Sequence, residues 1–324
     1  MKKGKRRFLK LFAFVAVLAL MTSFAGCQSE DEFPSKQISL VIQAAPGGES
    51  DMTGRLVGQT MEKELGVPVV ASNRTGAAGA VAFQYVKSQA ADGYTIGICP
   101  AEIAMVQALG LSEIVPDDMD FLGGAAETSS SLIVSANAPY DTLEEFVEYA
   151  KANPGQLKSG TAGAGSTLHI ASALLERAAD ISFNYVPYDG SSEAITALMG
   201  GHVDIVTIGV LAAKAGVDSG DLKILAILGE ERVEQYPDVP TAQEAGVDCV
   251  YTTWVGLYAP SGLDADVKAT LEAAVKAGVE GEPYQNFAKE RGLTIRYRTA
   301  AEFTQFVNEN YEMYSELIPT LNLN

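Results

Sequence analysis

The stretch Ile38-Ser-Leu-Val-Ile-Gln-Ala-Ala-Pro-Gly-Gly-Glu-Ser-Asp51 joins a short apolar run to a glycine-rich turn and the start of an amphipathic segment. The run Ile38–Ile42 is typical of a buried strand, and Pro46-Gly47-Gly48 ends it. Ser50 is placed to cap a helix that Gly66 closes. A strand that enters a helix through such a turn is the building unit of an α/β fold.

The same alternation continues along the chain. Apolar runs at residues 67–70 and 94–99 flank a helix-like segment at residues 80–89. A second set of strands includes residues 132–135 and 157–161, and the chain from Asp264 to about residue 318 is mostly helical in pattern. This rhythm predicts parallel strands covered by helices, in two α/β units over residues 36–125 and 126–249.

Composition excludes several function classes. The 324 residues carry 41 acidic and 23 basic side chains, a net charge of −18 and two histidines. A general nucleic-acid binder needs a basic face, so we expect no nucleic-acid partner. Two histidines are too few for a site built on several of them, and the sequence has no P-loop, nucleophile elbow, HExxH, CxxC or EF-hand motif. We therefore predict no cofactor, no metal and no enzyme activity.

The first 27 residues have the pattern of an export signal. A basic start precedes an apolar run over residues 11–21, which is shorter than the roughly 20 residues of a transmembrane span. Small residues before Cys27 resemble a lipobox, which predicts a lipoprotein signal peptide, lipidation of Cys27 and a polar spacer over residues 28–36. The alternative is a plain secretory signal. With either signal we expect an extracytoplasmic protein, and with the lipid we expect it to be anchored to the cell membrane. In such a compartment Cys99 and Cys249 form either a disulfide or two separate buried thiols.

Two glycine-rich turns before helices are candidate anion sites, since helix N-termini present unpaired N–H groups. They cover residues 45–51 and 161–167. Acids in a first turn, such as Glu49 and Asp51, more often stabilise the helix, and His169 is better explained as a structural histidine than as a catalytic one. The candidate ligand-binding residues are Ala45, Pro46, Gly47, Gly48, Ser50, Asp51, Thr161, Ala162, Gly163, Gly165, Ser166, Thr167, Tyr188 and Asp204.

Eight motifs in order resemble one known family, the extracytoplasmic solute receptors of tripartite tricarboxylate transporters, or Bug-type receptors. The motifs cover nearly all of the chain after the signal. They are residues 38–51, 66–70 with 73–79, 91–95, 160–165 with His169, 186–190, 200–204, 236–246 and 256–260.

This resemblance implies a two-lobed α/β fold of the periplasmic-binding-protein kind (type II), with the ligand cleft between the lobes. We expect lobe 1 to hold residues 36–125 and 250–324, and lobe 2 to hold residues 126–249. In the family the two glycine-rich turns grip a carboxylate. Thr75 and Asp189 depart from the family's usual proline and lysine, and the loss of a positive group at Asp189 favours a mono- or dicarboxylate over citrate.

The resemblance favours a monomeric receptor that captures a small carboxylate and delivers it to membrane transporter subunits. A sensory receptor that presents its ligand to a membrane sensor kinase is the alternative, with the same fold. An exported enzyme would need Ser166, His169 and Asp204 as a triad, but no nucleophile elbow surrounds Ser166.

Overall fold

The computed structural model describes residues 33–188 and 190–321. The chain divides into two compact units, Met1–Ser35 and Lys36–Asn324, and the fold below is that of the second. The predicted signal peptide, Cys27 and most of the spacer lie outside the described residues, as does Asp189. Among the described residues, no helix is both long and apolar enough to cross a membrane.

Ten strands and nine α-helices are present in the described part of the chain. The strands are β1 Ile38–Ile42, β2 Val69–Asn73, β3 Thr95–Pro100, β4 Met119–Ser135, β5 Lys158–Thr161, β6 Asn184–Pro187, β7 Ile205–Gly209, β8 Leu222–Leu228, β9 Thr252–Pro260 and β10 Thr294–Arg298. The helices are α1 Glu49–Leu65, α2 Ala80–Lys87, α3 Leu143–Ala152, α4 Thr167–Ala179, α5 Ser191–Met199, α6 Lys214–Asp218, α7 Ala265–Glu280, α8 Glu282–Arg291 and α9 Ala300–Leu317.

The strands form one sheet in the order β2-β1-β3-β9-β4-β7-β5-β6, and β8 and β10 also pair with β4. The pairs β1–β2, β1–β3, β5–β6 and β5–β7 are parallel, as predicted. The strands β4 and β9 run antiparallel to their neighbours. The predicted strand at residues 132–135 is therefore only the end of the 17-residue strand β4. The expectation of a mostly helical C-terminal part also missed β10.

Strand β4 connects the two halves of the sheet. The first half holds β1, β2, β3, β9 and β10, and the second half holds β5, β6, β7 and β8. Its residues up to Ser129 pair with β9, and its residues from Ser130 onward pair with β7 and β8. The chain returns to the first half between β8 and β9. The strand partners thus change between Ser129 and Ser130, while the lobe boundaries at 125/126 and 249/250 stay predictions.

Local sequence signals explain several helix ends. The Thr142 and Thr299 side chains accept hydrogen bonds from the N–H groups of Glu145 and Glu302 at the starts of α3 and α9. At α9 the Glu302 carboxylate also accepts from the Thr299 N–H, which completes a capping box. Gly66 ends α1 in the left-handed conformation. The prediction that Ser50 caps α1 is wrong, because Gly48 is the extended residue before the helix and Ser50 lies in the first turn.

The core fills the space between the sheet and its helices. Edge-to-face aromatic pairs join α9 to the sheet, with Phe303 against Phe121 of β4 and Trp254 of β9. Cys99 and Cys249 are both buried and unbonded, so the structure has the two separate thiols of the second alternative.

Candidate functional site

Three helix N-termini meet at one cavity of about 480 Å³. Each of these helices follows the carboxyl end of a parallel strand: α1 follows β1, α4 follows β5 and α5 follows β6. Ligands of open α/β sheets bind at such strand ends. The cavity is lined from α1 by Gly47, Gly48 and Glu49, from α4 by Thr167 and Leu168, and from α5 by Ser191 and Ser192.

The rest of the wall comes from the middle of the sheet and from α8. The lining residues there are Thr128 and Ser130 of β4, Ile208 and Gly209 of β7, Leu211, Ala212, Thr253 of β9, Phe287 and Arg291 of α8, and Leu293. Both halves of the sheet therefore contribute to one cavity, whose volume suits a small organic molecule.

The turn before α1 is held by Asp51. Its carboxylate accepts hydrogen bonds from the Gly47 N–H at 2.9 Å, from Arg55 Nε at 3.0 Å and from the Asn73 amide at 2.7 Å. Gly47 is left-handed, with φ of +84°. Burial alone would raise the pKa of the Asp51 carboxyl, but these three donors outweigh it and lower the pKa. Asp51 is 2% exposed and does not line the cavity, so it positions the turn.

The turn before α4 is held by Ser166 and His169. The Ser166 hydroxyl accepts a hydrogen bond from the His169 N–H at 3.3 Å and caps the helix. The Gly165 N–H donates to His169 Nδ1 at 3.2 Å, so the ring proton is on Nε2. Burial lowers the pKa of His169, and its ring packs against Tyr185 with centroids 4.2 Å apart. A neutral histidine with Nδ1 engaged supports the turn, which agrees with the structural interpretation.

Thirteen of the fourteen predicted ligand-binding residues fall into three groups. Gly47, Gly48 and Thr167 line the cavity. Ala45, Pro46, Ser50, Asp51, Thr161, Ala162, Gly163, Gly165 and Ser166 belong to the same two turns without lining it. Tyr188 lines a neighbouring cavity that it shares with Ser192, and its N–H donates to the Thr161 carbonyl.

Asp204 does not join the site. It precedes β7 at the amino end of the strand, whereas the cavity lies at the other end, by Gly209. Its carboxylate accepts a hydrogen bond from the Lys158 N–H at 2.7 Å, at the start of β5. We therefore correct the assignment of Asp204 as a ligand-binding residue. The alternative triad of Ser166, His169 and Asp204 loses its acid for the same reason.

Sequence reasoning missed the α5 and α8 contributions. Ser191 and Ser192 start a helix directly after a strand, which is the pattern that identified the other two turns, so the signal was present. Phe287 and Arg291 come from a helix about a hundred residues further along the chain. No local pattern marks them as part of this cavity.

Two charged side chains line the cavity, Glu49 and Arg291. The Thr128 hydroxyl donates to Glu49 Oε1 at 3.3 Å. Desolvation by the surrounding protein raises the pKa of the Glu49 carboxyl against that hydrogen bond, and the nearby Glu102 carboxylate raises it further, although the residue as a whole is exposed. The Arg291 guanidinium lies 5.9 Å from the centre of the Phe287 ring. Within the described residues neither Glu49 nor Arg291 forms an ion pair.

A continuous sheet whose two halves share β4, with helix N-termini of both halves at one cavity, defines a solute-binding protein of the periplasmic type. The model of the family described as "Tripartite tricarboxylate transporter family receptor" matches residues 53–323, and the chain belongs to this family. Both the predicted family and the predicted fold class are thereby confirmed.

Known relatives match almost the whole chain in sequence or in structure. A protein of Cupriavidus necator described as "UPF0065 protein in gbd 5'region" is 34% identical over 96% of this chain and 95% of its own. A TctC solute binding protein from Polaromonas superposes with a TM-score of 0.80 at 28% identity, covering 89% of this chain and all of the other. MatC of Rhodopseudomonas palustris, solved with bound malate, gives a TM-score of 0.75 at 28% identity over 88% of this chain and all of its own.

Proposed function

We propose that this protein captures a small organic carboxylate outside the cytoplasm and delivers it to a tripartite tricarboxylate-type membrane transporter. The observation that carries the proposal is the meeting of three helix N-termini at one cavity. Their unpaired N–H groups and partial positive charge bind a carboxylate without a dedicated basic pocket. The hydroxyl groups of Thr167, Ser191 and Ser192 lie at the same ends and add hydrogen-bond donors.

The class of ligand follows from the size and charge of the cavity. A volume of about 480 Å³ suits a small molecule and not a polymer. Arg291 is the basic side chain that lines it, and Glu49 opposes a high density of negative charge. These features favour a mono- or dicarboxylate over a tricarboxylate. Malate, the ligand of the relative MatC, is a dicarboxylate, which supports the same class here.

Delivery requires a signal that the site is full. The cavity wall combines α1 from the first half of the sheet with α4 and α5 from the second. A ligand that contacts both halves stabilises their closed arrangement, and a transporter that binds the closed form selects loaded receptors. A lipid on Cys27 would hold the receptor at the membrane surface, close to that transporter.

Ligand-dependent thermal unfolding of the purified chain tests the proposal. A carboxylate at about 100 times its dissociation constant should add about 2.7 kcal/mol to the free energy of unfolding. For a chain of this size that corresponds to a rise in Tm of roughly 5 °C or more. Sugars should give no rise. This function would be excluded if no small carboxylate of the panel raised Tm and mass spectrometry found no carboxylate retained from purification.

A matched pair of variants localises the effect. Ser192→Trp fills the cavity from α5 and should remove the ligand-dependent rise. Ser261→Trp makes the same change at an exposed position outside the cavity and should keep it. Equal ligand responses from both variants would show that binding occurs elsewhere.

A further inference from the structure

We propose that the ion pair between Arg296 and Glu230 is a latch that favours the open arrangement of the two halves of the sheet. It lies outside the ligand cavity, keeps the empty protein open and helps the loaded protein to reopen. This inference rests on the proposed function only in that ligand capture gives closure its purpose, and its test contains no ligand.

The chain passes between the two halves of the sheet at two neighbouring places. Strand β4 crosses between Ser129 and Ser130. The return segment crosses between Leu228, which pairs with Ser130, and Thr252, which pairs with Ser129. Because each half is held together by its own strand pairs, a rotation of one half against the other bends the chain at these crossings. The crossings are therefore the hinge.

The two faces of the hinge line different cavities. Thr128 of β4 and its partner Thr253 of β9 line the ligand cavity. The next pair along the two strands, Ser129 and Thr252, lines a smaller cavity of about 100 Å³, here called the rear cavity. Since successive residues of a strand point to opposite faces, the two cavities lie on opposite sides of the sheet.

Arg296 lies between two carboxylates of the rear cavity. Its Nη1 is 3.5 Å from Glu127 Oε2 and 3.6 Å from Glu230 Oε2. Glu127 is buried and is also paired with Arg298, whose guanidinium lies 3.9 Å from the centre of the Phe306 ring. Glu127 therefore keeps a countercharge when Arg296 moves, whereas Arg296 is the cation paired with Glu230 among the described residues.

The two ends of the Arg296–Glu230 pair belong to different halves. Arg296 lies on β10, which pairs with the first-half section of β4. Glu230 lies in the loop after β8, and this loop returns to β8 at the bridge between Ile227 and Thr241. Every other ion pair in the described part of the chain joins two residues on the same side of the crossings. This pair is thus the ionic contact between the halves.

The rear position of the pair determines the direction of its effect. A rotation that closes the halves over the ligand cavity separates them on the opposite side of the sheet. Arg296 and Glu230 then move apart, and the attraction between their charges resists this movement. At 3.6 Å the pair is longer than a hydrogen bond, so further opening shortens it to one. The pair therefore favours opening and lowers the apparent affinity for a ligand that needs the closed form.

Pulsed electron–electron double resonance without ligand measures this opening. Spin labels are attached to Lys289→Cys of α8 and Thr196→Cys of α5, two exposed positions on helices that line the ligand cavity from opposite halves. The distance between the labels shortens when the halves close. Cys27→Ser in every sample restricts labelling to these two sites, since Cys99 and Cys249 are buried.

Glu230→Gln should raise the ratio of short to long label distances about two- to fivefold. This is the range expected for an exposed ion pair, and the Arg296 and Glu230 side chains are 39% and 69% exposed. Glu230→Lys places a like charge beside Arg296 and should raise the ratio further.

Glu231→Gln is the matched control. It removes the same charge from the next residue, which is also exposed and also lines the rear cavity, and which forms no ion pair among the described residues. Its distance distribution should equal that of the wild type, and melting curves confirm that all variants fold.

Two further measurements separate a latch from a local role of Glu230 in its loop. In an Arg296→Gln background, Glu230→Gln should have no additional effect, because the pair is already lost. Sodium chloride at about 1 M, where the Debye length is about 3 Å, should raise the wild-type ratio to that of Glu230→Gln and leave the ratio of the variant unchanged.

The latch is overturned if the distances in Glu230→Gln equal those of the wild type or become longer. It is also overturned if Glu230→Gln has the same effect with and without Arg296. Because no ligand is present, these results do not depend on the proposed function. A chain that binds no carboxylate but shows the shift loses the proposed function and keeps the latch.

Discussion

Replacing Asp51 by asparagine tests whether the buried Asp51 carboxylate stabilises the turn before α1. The change keeps the shape of the side chain and converts one acceptor oxygen to an NH₂ group. In the native protein Oδ2 accepts from the Gly47 N–H and Oδ1 accepts from the Asn73 amide. Because an NH₂ group cannot accept a hydrogen bond, the asparagine must lose one of these two partners in either orientation of its amide.

The expected cost follows from these contacts. Losing one hydrogen bond to a buried charged group costs about 1.5–3 kcal/mol. The Arg55 side chain is 43% exposed, so the loss of its ion pair adds at most about 1 kcal/mol. The free energy of unfolding should therefore fall by roughly 2–4 kcal/mol, and Tm by roughly 4–8 °C. Urea unfolding at neutral pH measures the free energy of unfolding, and calorimetry measures Tm.

The pH dependence has a definite sign. The Asp51 pKa is lowered in the folded protein despite burial, by the Arg55, Gly47 and Asn73 donors. Its contribution is thus complete above the unfolded-state pKa of about 3.9 and is lost as pH falls through the lower folded value. The stability gap between wild type and Asp51→Asn should stay constant down to about pH 5 and close below about pH 4.

Asp238→Asn, at an exposed position, is the matched control and should change stability by less than about 0.5 kcal/mol. An equally small effect of Asp51→Asn, or a gap that persists in acid, would refute the reasoning.

Three further predictions test other parts of the structure. Gly47→Leu and Gly163→Leu place side chains on left-handed backbone, so each should lower the free energy of unfolding by about 1–2 kcal/mol and weaken ligand binding. If titration gave normal ligand affinity for both variants, these turns would not belong to the site. Burial lowers the pKa of His169, so wild-type stability should fall as pH drops below about 6.5, whereas unfolding of His169→Gln over a pH series should show a flatter profile; equal slopes would contradict this. Burial raises the pKa of Cys249 to about 12 and that of Cys99 well above its usual range, so both should react with a thiol reagent only after urea unfolding. Prompt labelling of either of these two residues in the folded protein, or no labelling of them in urea, would contradict two buried free thiols.

The segment from β1 to the end of α1 could be predicted because its signals are local. The apolar run of β1, the Pro46-Gly47-Gly48 turn and Gly66 lie within a single stretch, and each acts on its own neighbourhood. Strand β4 is different. Its middle carries glycines and hydroxyl residues, and it is a strand because β9, β7 and β8 pair with it from distant parts of the chain. Tertiary pairing overrode local preference there, which is why only residues 132–135 were predicted.

The same distinction explains the candidate site. Both glycine-rich turns could be found because a helix N-terminus after a strand is a local pattern with a chemical consequence. Arg291 could not be found, since it reaches the cavity only through the packing of α8. The error at Asp204 arose because closeness to a family motif in sequence does not say which end of a strand a side chain occupies.

The charge of the chain bears on what it captures. A net charge of −18 repels an anion at long range, but salt screens that repulsion beyond about 8 Å, and inside the cavity the N-termini of α4 and α5 are closer than the distant surface acids. The total charge therefore does not prevent the proposed capture of a carboxylate, which is a local effect.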